Sequence, residues 1–121
     1  IEPILFMTWP YKNKPEMQNQ LEEEFFKVSK INKLRMIPAG RAFLNINQNY
    51  PDIDLYTEDL RHPSKEGTYL AALMVFTTVS NKSPIGNKYT MGLEIDVARI
   101  LQEVAWKTHK DFQNISQGSG L

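Results

Sequence analysis

Cysteine is absent from this chain, histidine occurs only twice, neither sign of charge is in excess, and no long apolar run is present. Without cysteine, disulfide frameworks and thiolate metal sites are excluded, while reducing and oxidising compartments both stay open. Lys and Arg number 14 against 14 Asp and Glu, so no basic field draws a phosphate backbone and no nucleic-acid partner is expected. No apolar run approaches the ~20 residues of a spanning helix, and no charged-then-apolar leader opens the chain, so no membrane partner is expected either. Internal repeats and low-complexity tracts are also missing. What is there, 121 residues, suffices for one small domain that hides roughly two thirds of its unfolded surface. The chain opens Ile1-Glu2-Pro3 without a Met and runs straight into Ile4-Leu5-Phe6-Met7, as a strand entered from something upstream would. A piece of a longer protein, or a processed chain, is the expectation.

Ile4 to Trp9 is a continuous apolar run stopped by Pro10, the pattern of a buried strand in a parallel sheet. Pro15 suits a first helical turn, and Met17, Leu21, Phe25 and Val28 then recur at helical spacing to about Ile31. Leu34 to Ile37 predicts a second short strand, and Ala39 to Ile46 a short helix before the turn at Asn49-Tyr50-Pro51. Asp52 to Tyr56 alternates polar and apolar side chains. Lys65 to about Thr78 is apolar enough for a well-buried helix, and Asn81 to Asn87, with Pro84 and Gly86, reads as a loop. Leu93, Val97, Ile100, Leu101 and Val104 set out a last amphipathic helix, and residues 115–121, ending in Gly-Ser-Gly-Leu, read as a tail or linker. Strands alternating with helices predict an α/β fold with parallel pairing, yet two strands do not make a stable doubly wound sheet, so something must supply the rest.

The residues with most chemistry lie in EDLRHPSKEGTYLAA, positions 58–72, where Asp59 stands three residues before His62 and just ahead of a helix start that Ser64 can cap. A carboxylate folded back onto one ring nitrogen fixes the imidazole tautomer and leaves the other nitrogen free to take a proton from a nucleophile. On the bare spacing alone, a helix-start acid beside a surface histidine is the more common arrangement. The wider pattern, Asp59-Leu60-Arg61-His62-Pro63-Ser64-x-x-Gly67-x-Tyr69-Leu70-Ala71-Ala72, resembles the last block of the SGNH hydrolases, also called GDSL esterases and lipases. Asn81-Lys82-Ser83-Pro84-Ile85-Gly86 and the upstream Leu5-Phe6-Met7-Thr8-Trp9 are similar to the same group, and the resemblance spans roughly residues 4–105.

That resemblance implies a three-layer, flavodoxin-like parallel sheet flanked by helices, with residues 1–114 as the C-terminal part of one hydrolase domain. It implies Asp59 and His62 as the acid and base of a catalytic triad, no cofactor, no metal, and a small acyl ester such as O-acetylated carbohydrate as substrate. An exported protein would accord with it, though no residue here fixes the compartment. The family's Gly-Asp-Ser nucleophile block and its oxyanion-hole Gly and Asn blocks have no counterpart in this chain, and Ser64 reads as a helix cap. The nucleophile is thus expected from outside the chain, from the N-terminal half of the same hydrolase as partner, with self-association as the other way to cover an open half-sheet. A non-catalytic binding module or an inactive fragment retaining the scaffold is the alternative.

Four further groups carry candidate roles. Asp52, Asp54, Glu58 and Asp59 form an acidic cluster, but Tyr56 and Thr57 break the alternation and Gly position of a calcium loop. Glu22-Glu23-Glu24 reads as a solvated helix face. His109, in Lys107-Thr108-His109-Lys110, reads as a surface residue at a helix end. Trp9, Tyr11 and Tyr50 could line a ligand pocket, with core packing the more common fate of such aromatics.

Overall fold

The computed structural model describes residues 1–118. Among them the chain forms two strands and four helices: β1 (Ile4–Phe6), α1 (Met17–Asn32), β2 (Arg35–Ile37), α2 (Ala39–Asn49), α3 (Lys65–Ser80) and α4 (Ile95–Gly118). The strands pair in parallel, Ile4 beside Arg35, Leu5 beside Met36 and Phe6 beside Ile37, so the protein is α/β with a small two-stranded parallel sheet. A parallel pair needs a crossover, and α1 provides it. The crossover ends at Lys33, in the left-handed conformation (φ 53°), where the carbonyl of Ser29 accepts from the amides of both Lys33 and Leu34.

β1 stops at Phe6, three residues short of the predicted Trp9, and its residues are half-buried rather than fully buried. Beyond Phe6 the backbone leaves the ladder to bracket the start of α2. The Met7 amide donates to Ile37 (2.9 Å), and the Gly40 amide donates to the Met7 carbonyl (3.1 Å). A side chain at position 40 would put Cβ 2.0 Å from the Thr8 carbonyl oxygen, so only glycine permits this approach.

Phe43, Ile46, Leu55, Leu70, Met74 and Leu101 are fully buried and join α2, α3 and α4 around one core. Each such side chain stabilises the fold by about 1.5–3 kcal/mol through the hydrophobic effect. A smaller cluster of Met7, Met36 and Phe112 joins the strands to the far end of α4, where Phe26 of α1 stacks on Phe112 at 5.4 Å. α3 follows its predicted range almost to the residue, capped by Ser64 and closed by Asn81 in the left-handed conformation (φ 55°). It is apolar on all sides: Tyr69, Leu70, Leu73 and Met74 face inward, while Val75, Phe76 and Val79 are exposed.

α4 departs from expectation at both ends. Leu93 precedes the helix, because left-handed Met91 and Gly92 form a turn closed by the Leu93 amide on Thr90 (2.9 Å). The helix then continues through residues 115–118, which were expected to be tail; residues 119–121 of that predicted tail lie outside the described residues. The loop ahead of α4 is held by buried Gln102, which accepts from Gly86 N and donates to Asn87 O and the Tyr69 hydroxyl at 2.9–3.1 Å. Glu22 corrects the reading of the acidic triplet. Its neighbours Glu23 and Glu24 are exposed, but Glu22 is largely buried, forked onto the Arg41 guanidinium and accepting from Gln18 (2.6 Å). Its burial opposes ionisation, and the bonds from Arg41 and Gln18 outweigh that and hold its carboxyl below the usual range.

Candidate active site

Residues 54–64 make a narrow strap between α2 and α3. The Ser64 amide donates to Leu55 O and the Thr57 amide to His62 O, both at 2.8 Å, with Tyr56 and Pro63 facing each other between them. That is the non-hydrogen-bonded position of an antiparallel pair, where the missing N–H of proline costs nothing. Pro63 therefore lies before the helix cap, outside the first turn of α3. Ser64 is the cap: its hydroxyl accepts from Gly67 N (3.2 Å) and donates to Asp54 O (2.8 Å). Gly67 is required here for space, since a Cβ would lie 2.2 Å from the Leu55 carbonyl oxygen.

The tip of the strap, Thr57 to His62, turns through Leu60 in the left-handed conformation (φ 63°), with its amide on Thr57 O at 3.0 Å. Three bonds fasten the strap to the segment that follows β1. Lys12 N donates to Leu60 O (2.9 Å), Trp9 Nε1 to Arg61 O (3.0 Å), and the buried Tyr56 hydroxyl to Pro10 O (2.8 Å). Trp9 is itself stacked on Phe43 at 4.4 Å, so the core positions the strap. The result sets Asp59 and His62 beside the loop leaving the carboxyl end of β1, the side of a parallel sheet on which α/β proteins place their ligands.

Asp59 uses both carboxylate oxygens. Oδ1 accepts from the Thr57 hydroxyl (2.8 Å) and from the amides of Arg61 and His62 (2.9 Å each), and Oδ2 meets His62 Nδ1. The bond from His62, then those amides and the Thr57 hydroxyl, hold the carboxyl well below the ordinary range. It is a fixed anion at any physiological pH. With Nδ1 turned to this anion, the neutral imidazole carries its proton there and presents the Nε2 lone pair outward; the His62 side chain is 78% exposed. The arrangement can accept a proton at Nε2 and stabilise the resulting imidazolium.

Arg61 turns away from the pair and lies over the Tyr11 ring, 4.7 Å from its centroid. Of the other predicted aromatics, Trp9 packs into the core edge and Tyr50 is 40% exposed. The acidic cluster does not converge. Asp54 pairs with Lys12 (3.1 Å) and accepts from Tyr56 N, and among the described residues no three His, Asp or Glu side chains gather to hold a metal ion.

The serine hydroxyls described are engaged locally. Ser64 caps α3, Ser29 donates to Leu34 O and Ser80 to Phe76 O, both at 2.6 Å, and Ser83 accepts from Ile85 N. His109 is the principal correction: it is 4% exposed, stacked on Trp106 and bonded through Nε2 to Asn81 Oδ1 (2.8 Å). Burial pushes its imidazole pKa down. Leu101, Ala105, Thr108 and Phe112 continue the buried stripe of α4 on both sides of it. The Thr57 hydroxyl on Asp59 had no sequence signal; it follows only from the turn.

The chain matches no protein-family model, no curated protein and no solved structure. Function therefore rests on the geometry of the site and on the motif.

Proposed function

We propose that this chain carries the base and the orienting acid of a serine ester hydrolase of the SGNH kind, His62 and Asp59, with the nucleophilic serine supplied from outside residues 1–121. The observation that carries this reading is the Asp59 carboxylate on His62 Nδ1 with Nε2 open to solvent at the carboxyl side of the parallel strands. In the mechanism, Nε2 takes the proton of the serine hydroxyl as it attacks the ester carbonyl, and Asp59 stabilises the imidazolium without itself being protonated. The imidazolium then protonates the departing alkoxide, and water, activated by the same Nε2, hydrolyses the acyl-enzyme. Small acyl esters, such as O-acetylated carbohydrate, are the proposed substrates.

In this reading the two strands belong to a flavodoxin-like sheet of about five, with residues 1–114 as its C-terminal part. Two features support a covering partner, either the N-terminal half of the hydrolase or a second copy. The strand β1 is only half-buried, and α3 exposes Val75, Phe76 and Val79 on the side away from the core, whereas helices apolar all round are ordinarily buried. Among the described residues no helix is long and apolar enough to cross a membrane.

The test is a fluorophosphonate probe applied to the purified protein that contains this chain, followed by intact-mass measurement of every species. A serine adduct that disappears in His62→Ala, with the melting temperature unchanged, is the expected result. Labelling that persists undiminished in His62→Ala overturns the role of His62. The absence of any adduct favours the second reading, a binding module that keeps the hydrolase scaffold, whose specific support is the local engagement of the described serines.

A further inference from the structure

A sizeable cavity formed by the described residues has no part in the Asp59–His62 strap. α1, β2 and the far half of α4 enclose a space of ≈ 690 Å³, well within the 300–1,000 Å³ usual for small-molecule sites. Its wall is apolar, built by Phe26, Leu34, Met36, Pro38 and Phe112. Its rim is cationic: Lys27, Lys30, Lys33 and Arg35 line it against a single carboxylate, Glu23.

Two of those cations are already engaged. Lys27 reaches Glu23 and Glu24, and Arg35 is forked onto Glu2 while also donating to Thr78 O. Lys30, on the last turn of α1, and Lys33, just past its end, make no ion pair among the described residues, so their charge at the rim of the cavity is uncompensated. A second, independent feature lies in the lining itself. Thr78 is 93% buried, and its hydroxyl has no hydrogen-bond partner, an uncommon condition that an acceptor on a bound molecule would relieve. His109, also in the lining, is held towards its neutral form by burial and contributes no charge.

We propose that this cavity binds an amphiphilic monoanion, a medium-chain carboxylate whose apolar body lies against Phe26, Met36 and Phe112 and whose head group is met by Lys30 and Lys33. The apolar wall disfavours sugars and other ligands that need many polar partners, and the two uncompensated lysines disfavour cations and neutral lipids. The site shares no residue with the strap, so it stands or falls independently of the hydrolase reading.

The test is a ¹H–¹⁵N NMR titration of the whole chain with octanoate, below its micelle concentration and at low salt, beside the same titration with 1-octanol. Octanoate is expected to bind saturably and to shift amides of the α1 C-terminus, β2 and residues 109–113, with 1-octanol weaker. Lys30→Glu combined with Lys33→Glu, both on exposed side chains, is expected to weaken octanoate roughly tenfold and leave 1-octanol unchanged. Raising the ionic strength of the wild-type sample should weaken octanoate alone, which tests the charge without any substitution. Three outcomes overturn the proposal: no saturable binding, shifts centred on the exposed face of α3, or equal affinity for octanoate and 1-octanol. The last would make the cavity a generic apolar groove for a protein segment.

Discussion

The chain has two imidazoles, and their surroundings are opposites. His62 sits on an exposed turn that is held by backbone amides and one carboxylate, while His109 sits on the buried stripe of a helix and is held by a neutral amide side chain. Both have a single ring nitrogen bonded to an Asx side chain. His62 stands in solvent with a carboxylate on Nδ1 and Nε2 open, whereas burial makes protonation of His109 unfavourable. One imidazole presents an open ring nitrogen to solvent and the other is packed away from it. The bonded partner and the burial, not the residue type, decide which is a candidate catalyst.

The strap that carries His62 can be broken at its base without touching the histidine. Gly67→Val forces a side chain against the Leu55 carbonyl, backbone against backbone-attached atom, with Pro63 Cβ 3.0 Å away as well. Neither neighbour can swing aside, so a loss of about 3 kcal/mol or more is expected, measured by urea denaturation. Loss below about 1 kcal/mol would mean that the strap is not packed on α3 as described.

The buried histidine gives a smaller effect with a definite pH signature. Its pKa is lowered in the folded state, so between that depressed value and the ordinary value near 6.5 the unfolded chain holds a proton that the folded chain does not. Stability should therefore rise as pH increases toward 6.5 and level off above it. His109→Gln, which keeps a polar side chain able to reach Asn81, should flatten that rise. Thermal unfolding of both proteins across this range checks it; equal slopes would place His109 in solvent. Asn81→Gly, which keeps the left-handed backbone at φ 55° but removes the acceptor, should cost about 1 kcal/mol at neutral pH.

The same contrast explains what the sequence could and could not tell. Parallel α/β pairing, the extent of α3 and the Ser64 cap were legible, because each depends on patterns a few residues long: an apolar run, helical periodicity, a hydroxyl before the helix. The Asp59–His62 contact was legible as a motif, and the turn delivers it through local bonds. What misled were features decided across the fold. Glu22 looked like one of three solvated carboxylates until Arg41, nineteen residues away, faced it. His109 looked like a helix-end residue, but α4 runs on to Gly118 and packs along α3, where His109 meets Asn81 at the end of that helix. β1 was read as long and fully buried, but its last apolar residues serve the junction with α2 and the stacking of Trp9 on Phe43.

The smallest effect expected is the most informative about the strap. If Asp59 organises the turn and His62 is only presented by it, the two should differ in what their loss does to the fold. Asp59→Ala removes the acceptor of two backbone amides and the Thr57 hydroxyl, and should lower the melting temperature near neutral pH. Because the Asp59 carboxyl is held low, that contribution is present above the unfolded value near 3.9 and is lost as pH falls toward the folded value, so the wild type and Asp59→Ala should converge in acid. His62→Ala removes an exposed ring whose only bond is to that carboxylate, and should change stability by less than about 0.5 kcal/mol. Calorimetry on the two variants at neutral pH separates the cases. An equal, large loss in both would make His62 a structural member of the turn, and the open Nε2 would then have no claim to be there for chemistry.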